Sequence, residues 1–302
     1  MRSVNTVKHI FEKNANDLAF VIGNGINRHY KNDNISWSNL LLELWDNHSF
    51  ITKSSIPSGI SFTEFYDALE IQNTQRNNFS SVLQKEVKTK MSNWKPDHSQ
   101  NIILDKIKEI NAPILTTNFD DLIPQSLGLK FRKISTKKFT DFYPWSCYYS
   151  DKVLKNPLDG FGVWYPNGML KYHRSIKLGL SQYMGNVERA RRLIHKEPNN
   201  IHFEGKNKNH WEGYDTWLHI LFNKSLFIFG LGLDQTEVFF RWLLIERAKY
   251  FRNFPRRKHK GWFVMKKENR QENEGKRFFL ESVGFEIIEL ESYHEIYEAI
   301  WK

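Results

Sequence analysis

At 302 residues the chain is long enough to bury a sizeable core, and its 40% hydrophobic and 26% charged residues, with 23 phenylalanines and ten tryptophans, exclude a disordered protein. Cys147 is the single cysteine, which excludes an internal disulfide framework and any cysteine-built zinc site. A formal net charge of +10 favours polyanionic partners but carries no base readout by itself.

No run approaches the ~18 apolar residues of a membrane-spanning helix. The opening MRSVNTVKHIFEKNAND lacks the apolar core of a signal peptide, so a cytoplasmic protein without a membrane partner is expected. Residues 1–16 read as a short helix. Leu18–Ile22, LAFVI, is a compact apolar run bounded by Gly23, the pattern of a buried strand. Gly23-Asn24-Gly25 follows, and its glycines can take positive φ without placing a Cβ between the backbone and a ligand. The turn reads either as the pyrophosphate cradle of a dinucleotide or as an ordinary tight turn. Arg28 stands where the third glycine of G-x-G-x-x-G belongs, so the usual dehydrogenase fingerprint is not met.

Ser36 is the expected N-cap of WSNLLLELWDNH, in which Trp37, Leu40, Leu41, Leu44 and Trp45 recur at helical spacing. Residues 50–110 contain helical patterns at Ser61–Gln72, Phe79–Met91 and His98–Ile110 and no strong strand. They read as a helical insertion between sheet strands, leaving 1–49 and 111–302 as the main nucleotide-binding domain. Pro113–Asp121, PILTTNFDD, is the second anchor: Ile114 and Leu115 form a short strand, and Thr116, Thr117, Asn118, Asp120 and Asp121 follow at its C-terminal end, where parallel sheets bind ligands. Asn118 and Asp120 can hydrogen-bond ribose hydroxyls or a carboxamide, or can serve as turn and N-cap residues of the next helix.

Residues 131–175 read as short strands and turns, ending in a strand at Leu170–Tyr172 that leads to His173. A histidine in that position is either a structural hydrogen-bonder or a proton acceptor near neutrality. Ser181–Lys196 and Gly213–Asn223 read as helices. Ser225–Phe229 is a strong strand ending in Gly230-Leu231-Gly232-Leu233-Asp234, followed by a helix over Gln235–Phe251. Trp262–Met265, Glu272–Ser282, Phe285–Leu290 and Ser292–Trp301 continue as strand, helix, strand and helix. This alternation implies an α/β fold: a Rossmann-like parallel sheet with helices on both faces and a helical insertion. The basic run Arg252–Lys260, RNFPRRKHK, reads as a solvated helix end and loop or as a nucleic-acid contact.

Taken in order, the Gly-Asn-Gly turn, TTNFDDL, YHRS-IKLGLSQY and FIFGLGLDQTE resemble the sirtuin-like NAD-consuming domain, in particular its divergent bacterial branch found in antiphage defence proteins. The resemblance covers about Asp17 to Leu290 and is weakest in the helical insertion. It implies that Gly23 and Gly25, with Asn24 and Asn27 beside them, receive phosphate. Thr117, Asn118 and Asp120 would hold the nicotinamide riboside half and the attacking water, His173 would be the catalytic histidine, and Gly230, Gly232 and Asp234 would receive the adenosine half. Arg174 replaces the glycine that usually follows that histidine, and the lone Cys147 cannot supply the four-cysteine zinc module of deacetylating sirtuins, so no zinc is expected.

The expected activity is NAD+ glycohydrolysis, with NAD+ as substrate, nicotinamide and ADP-ribose as products, and Asn118, Asp120 and His173 as the catalytic group. Such an NADase would deplete NAD+ in infected cells and would need a switch, so an activating partner protein or self-association is expected. The alternatives are a non-catalytic NAD- or nucleotide-binding regulatory subunit of a defence complex and, less supported, a nucleic-acid-binding protein using the basic run.

Overall fold

The computed structural model describes residues 2–30, 36–136, 139–196, 201–202, 211–268 and 273–302. An eight-stranded sheet forms the middle layer. Its strands are β1 (Leu18–Ile22), β2 (Ile114–Thr116), β3 (Lys130–Lys133), β4 (Cys147–Ser150), β5 (Val163–Trp164), β8 (Ser225–Phe229), β9 (Gly261–Lys266) and β10 (Glu286–Leu290). A separate two-stranded ribbon pairs β6 (His195–Lys196) with β7 (Ile201–His202). The main sheet runs β10-β9-β8-β1-β2-β5-β4-β3, with every pair parallel except β5–β4 and β4–β3. The Rossmann-like α/β architecture is therefore present, with an antiparallel edge on one side.

Strand composition explains the layering. All five residues of β1 are buried, and they alternate between two cores as the pleat requires. Leu18, Phe20 and Ile22 pack with α1 (Arg2–Asn14), α6 (Asn101–Glu109) and the C-terminal segment ending in Trp301. Ala19 and Val21 pack on the other face, with α8 (Leu180–Ile194), α9 (Leu218–Asn223) and α10 (Val238–Asn253). In β8, Phe227 and Phe229 join the first core while Leu226 and Ile228 join the second. Helix α11 (Glu274–Ser282) adds Leu280 to that second core.

The helical layer differs in extent from the 50–110 segment. Packing groups α3 (Trp37–His48), α4 (Phe62–Gln72) and α5 (Phe79–Ser92) around Leu41, Leu44, Phe65, Leu69, Leu83 and Val87. Helix α6 instead lies under the sheet with Ile103, Leu104 and Ile107. Ser36 caps α3 through a bond from Asn39 N, and Ser61 and Glu64 close a capping box on α4. The glycine turn is followed at once by a short helix, α2 (Gly25–Tyr30), and TTNFDD leads into another, α7 (Leu122–Ser126).

Two local expectations are corrected. Leu170–Ser175, with His173, is a 3₁₀ turn rather than a strand end, because Ser175 Oγ turns back to Met169 N at 3.0 Å and to Tyr172 O at 2.6 Å. The Gly213–Asn223 helix shortens to α9, since the residues ahead of it form a turn in which Thr216 Oγ1 donates to Gly213 O at 2.8 Å and accepts from Leu218 N at 3.3 Å. Glu272, the expected start of α11, lies outside the described residues. Among the described residues no helix is long and apolar enough to cross a membrane.

Candidate functional site

The chain runs from β1 to β2 on one side of the sheet and later enters β8 on the other, so β1 and β8 flank the point where strand order reverses. In open parallel sheets a crevice opens there, beyond the carboxyl ends of the strands. A cleft of about 420 Å³ occupies that position. It is lined by the residues that leave the strands: Asn24 and Gly25 after β1, Thr117 to Asp120 after β2, Asn167 after β5, Gly230 to Gly232 after β8, and Lys266 with Glu268 at the end of β9. Trp37, Leu40, Phe62, Met91 and Trp94 close it from the helical layer.

The two glycine turns touch each other. Gly23 N donates to Phe229 O (3.2 Å) and Gly25 N to Gly230 O (2.8 Å). A Cβ at Gly23 would meet Gly230 O and lie 2.7 Å from Leu231 Cα, and one at Gly25 would meet Tyr297 Oη and Gly230. Gly230 itself has φ +67. These glycines are thus required for the close approach of two backbones, whatever else they receive.

Asn27, on α2, joins the first turn to the TTNFDD segment: its Nδ2 donates to Asn24 Oδ1 and to Asp120 Oδ2, each at 3.1 Å. Asp120 is 4% exposed; its Oδ1 accepts from Leu122 N at 3.1 Å and its main-chain oxygen accepts from Tyr165 Oη. It therefore forms a turn just ahead of α7, whose N-cap is Asp121, and it also lines the cleft. Burial pushes its carboxyl up to about 6, against the hydrogen bonds from Leu122 and Asn27. Asp121 is pushed to about 6 as well, by burial and then by the charge of Asp120. Thr117 N donates to Ile22 O at 3.1 Å, which fixes this segment to the end of β1. Asn118 lines the cleft, and its buried Nδ2 has no partner among the described residues.

His173 does not line the cleft. Its 3₁₀ turn is pinned to α5, where Gln84 Nε2 donates to Arg174 O (3.3 Å) and Ile176 O (2.8 Å). Partial burial, then Lys88, Arg174 and Lys85, hold the imidazole below its usual range, so it is neutral at neutral pH. Arg174 lies 4.1 Å over the Phe142 ring and is likewise absent from the cleft lining. The structure therefore gathers Asn24, Gly25, Thr117, Asn118, Asp120, Gly230, Gly232 and Asp234 around one cavity, joins Asn27 to its wall through Asn24 and Asp120, and leaves His173 and the buried Gly23 out of its lining.

Sequence reasoning missed several lining residues. Asn167, 3% exposed, donates from Nδ2 to Thr117 O at 3.4 Å, and its Oδ1 has no partner among the described residues. Its only signal was the turn Pro166-Asn167-Gly168, in which Gly168 takes φ +108. Glu237 begins α10 beside Tyr183; burial and the neighbouring Asp234 push its carboxyl up to about 7. Asp234 is itself bridged to Lys276 at 3.3 Å. Tyr297 reaches the cleft from the chain's last helical turn, and nothing in its local sequence marks it.

The basic run Arg252–Lys260 ends α10 and leads through a 3₁₀ turn (Pro255–Arg257) into the start of β9. It therefore sits at the opposite end of the strands from the cleft. No protein-family model matches this chain, and no curated protein matches it.

Proposed function

We propose that the protein is an NAD+ glycohydrolase, releasing nicotinamide and ADP-ribose, that acts as an NAD-depleting effector in bacterial antiphage defence. The observation that carries the reading is the convergence of the two glycine turns and the Asn118–Asp120 segment on a single cleft at the strand-order reversal. That cleft has the volume of a ligand site. The defence role comes from the sequence resemblance alone.

Nicotinamide leaves NAD+ as a neutral base, and positive charge grows on the ribose as it departs. A largely ionised carboxylate in a desolvated wall stabilises that charge, which is the role proposed for Asp120. Asn118 would orient the attacking water with an amide that has no protein partner to give up. His173, neutral at the operating pH, would take the proton. The helical layer would exclude bulk water, and an activating partner or self-association would restrain turnover.

The position of His173 outside the cleft lining favours a second reading, in which the domain binds NAD+ and regulates a partner without turnover. The deciding experiment measures nicotinamide release from NAD+ by wild type, Asn118→Ala and His173→Ala, with cellular NAD+ followed on expression. NAD+ loss with wild type and with neither variant is the result expected of the hydrolase. NAD+ binding without release, even with the partner present, would establish the regulatory reading, and absence of NAD+ binding would refute both.

A further inference from the structure

The residue that breaks the glycine fingerprint, Arg28, and the last helical element of the chain meet at the same corner of the cleft. A π-helical turn over Glu295–Ala299 seats Tyr297, 4% exposed, against the two glycine turns. Its hydroxyl lies where a Cβ at Gly25 would stand, and 3.2 Å from the Cβ position of Gly230. The ring is fixed from α2: His29 stacks on it at 4.7 Å, and Tyr30 Oη donates to its main-chain oxygen at 2.6 Å. The hydroxyl has no hydrogen-bond partner among the described residues, and it feels the charge of Arg28. Arg28 lines the same cleft, is exposed, and has no ion pair among the described residues. The neighbouring acid, Glu298, is already engaged by His29, His294 and Lys302.

We propose that Tyr297 and Arg28 form an anion subsite of the cleft, in which the Tyr297 hydroxyl donates a hydrogen bond to a phosphate oxygen and the Arg28 guanidinium supplies the countercharge. A preorganised donor beside a guanidinium that has no ion pair among the described residues suits a phosphate group. The inference rests on the dinucleotide reading for the identity of the ligand, because a pyrophosphate bridge and a free phosphate present the same oxygens.

Calorimetric titrations of wild type, Tyr297→Phe and Arg28→Ala with ADP-ribose, inorganic pyrophosphate and nicotinamide riboside test it. Tyr297→Phe keeps the ring and its stacking, so thermal melts of that variant should match wild type. Each substitution should weaken ADP-ribose binding about tenfold or more, as loss of a charge-assisted hydrogen bond does. Pyrophosphate binding should fall in parallel, while nicotinamide riboside, which has no phosphate, should bind all three proteins equally. Unchanged ADP-ribose and pyrophosphate affinities in both variants would overturn the subsite. If wild type binds pyrophosphate but not ADP-ribose, and the variants lose it, the dinucleotide reading falls and the subsite stands. If wild type binds neither, both fall.

Discussion

Asn27 and Asp120 are 93 positions apart, yet Asn27 Nδ2 lies 3.1 Å from Asp120 Oδ2. This bond holds the end of β1 and the end of β2 in one wall, and it gives a buried carboxylate its side-chain donor. Asn27→Ala should cost about 1–3 kcal/mol of stability, the usual price of stranding a buried acceptor, read from urea unfolding. The same variant should reduce turnover more than it weakens NAD+ binding, because Asp120 loses its orientation. A variant as stable as wild type would show that the bond does not tie the two turns.

His173 allows a test by pH. Its imidazole is held below 6.5 by burial and nearby cations. If it accepts the proton, kcat/KM should rise with pH through a pKa below that value and level off by neutrality. His173→Ala should remove this acidic limb together with most of the rate. Wild-type turnover in the variant would take His173 out of the chemistry while leaving the cleft assignment intact.

Gly25 tests the packing of the two turns. A methyl group there meets the Tyr297 hydroxyl and Gly230, which is backbone and cannot rotate away. Gly25→Ala should destabilise the fold by about 1–3 kcal/mol, the range for overpacking a close contact, and should lower ligand affinity as Tyr297 shifts. Gly59, where a Cβ meets nothing within 4 Å but φ is +86, serves as a control of backbone strain alone. An unchanged melting temperature for Gly25→Ala would contradict the close approach.

Glu237 makes a signed prediction about stability. Its carboxyl sits at about 7 in the folded protein against 4.5 for the free group, so the native state binds more protons between those values. Rising pH therefore withdraws stability across that window, fully so above pH 7. Glu237→Gln removes the penalty: its melting temperature should match wild type near pH 4 and exceed it increasingly up to pH 7. The gain should be on the order of 1–2 kcal/mol after allowance for partial exposure. A constant difference across pH would mean that Glu237 ionises in the folded protein as it does free.

Much of the fold was legible because it is encoded locally. LAFVI and SLFIF are apolar at every position, and they became β1 and β8 with the limits expected. Ser36 preceded a 3.6-periodic run and caps α3 through Asn39 N. The strand end expected before His173 is absent for a physical reason: Ser175 Oγ bonds back to Met169 and Tyr172 and closes a 3₁₀ turn over Leu170–Ser175. The boundary of the helical layer was also illegible, since α3 and α6 are both amphipathic and only packing decides which core each one covers.

The sequence by itself determined β1, β8 and the helices that follow them, the glycine turns after β1 and β8, and the polar cluster after β2, because strand hydrophobicity, capping and turn chemistry act over a few residues. Only the tertiary structure decided that these segments share one cleft, since sheet order depends on which edges pair over long range. It alone brought Asn167, Glu237 and Tyr297 there, and showed that Gly25 is glycine partly because a tyrosine 272 positions later occupies the space of its side chain. Contacts of that kind follow from the closing of a three-layer fold and leave no local pattern to read.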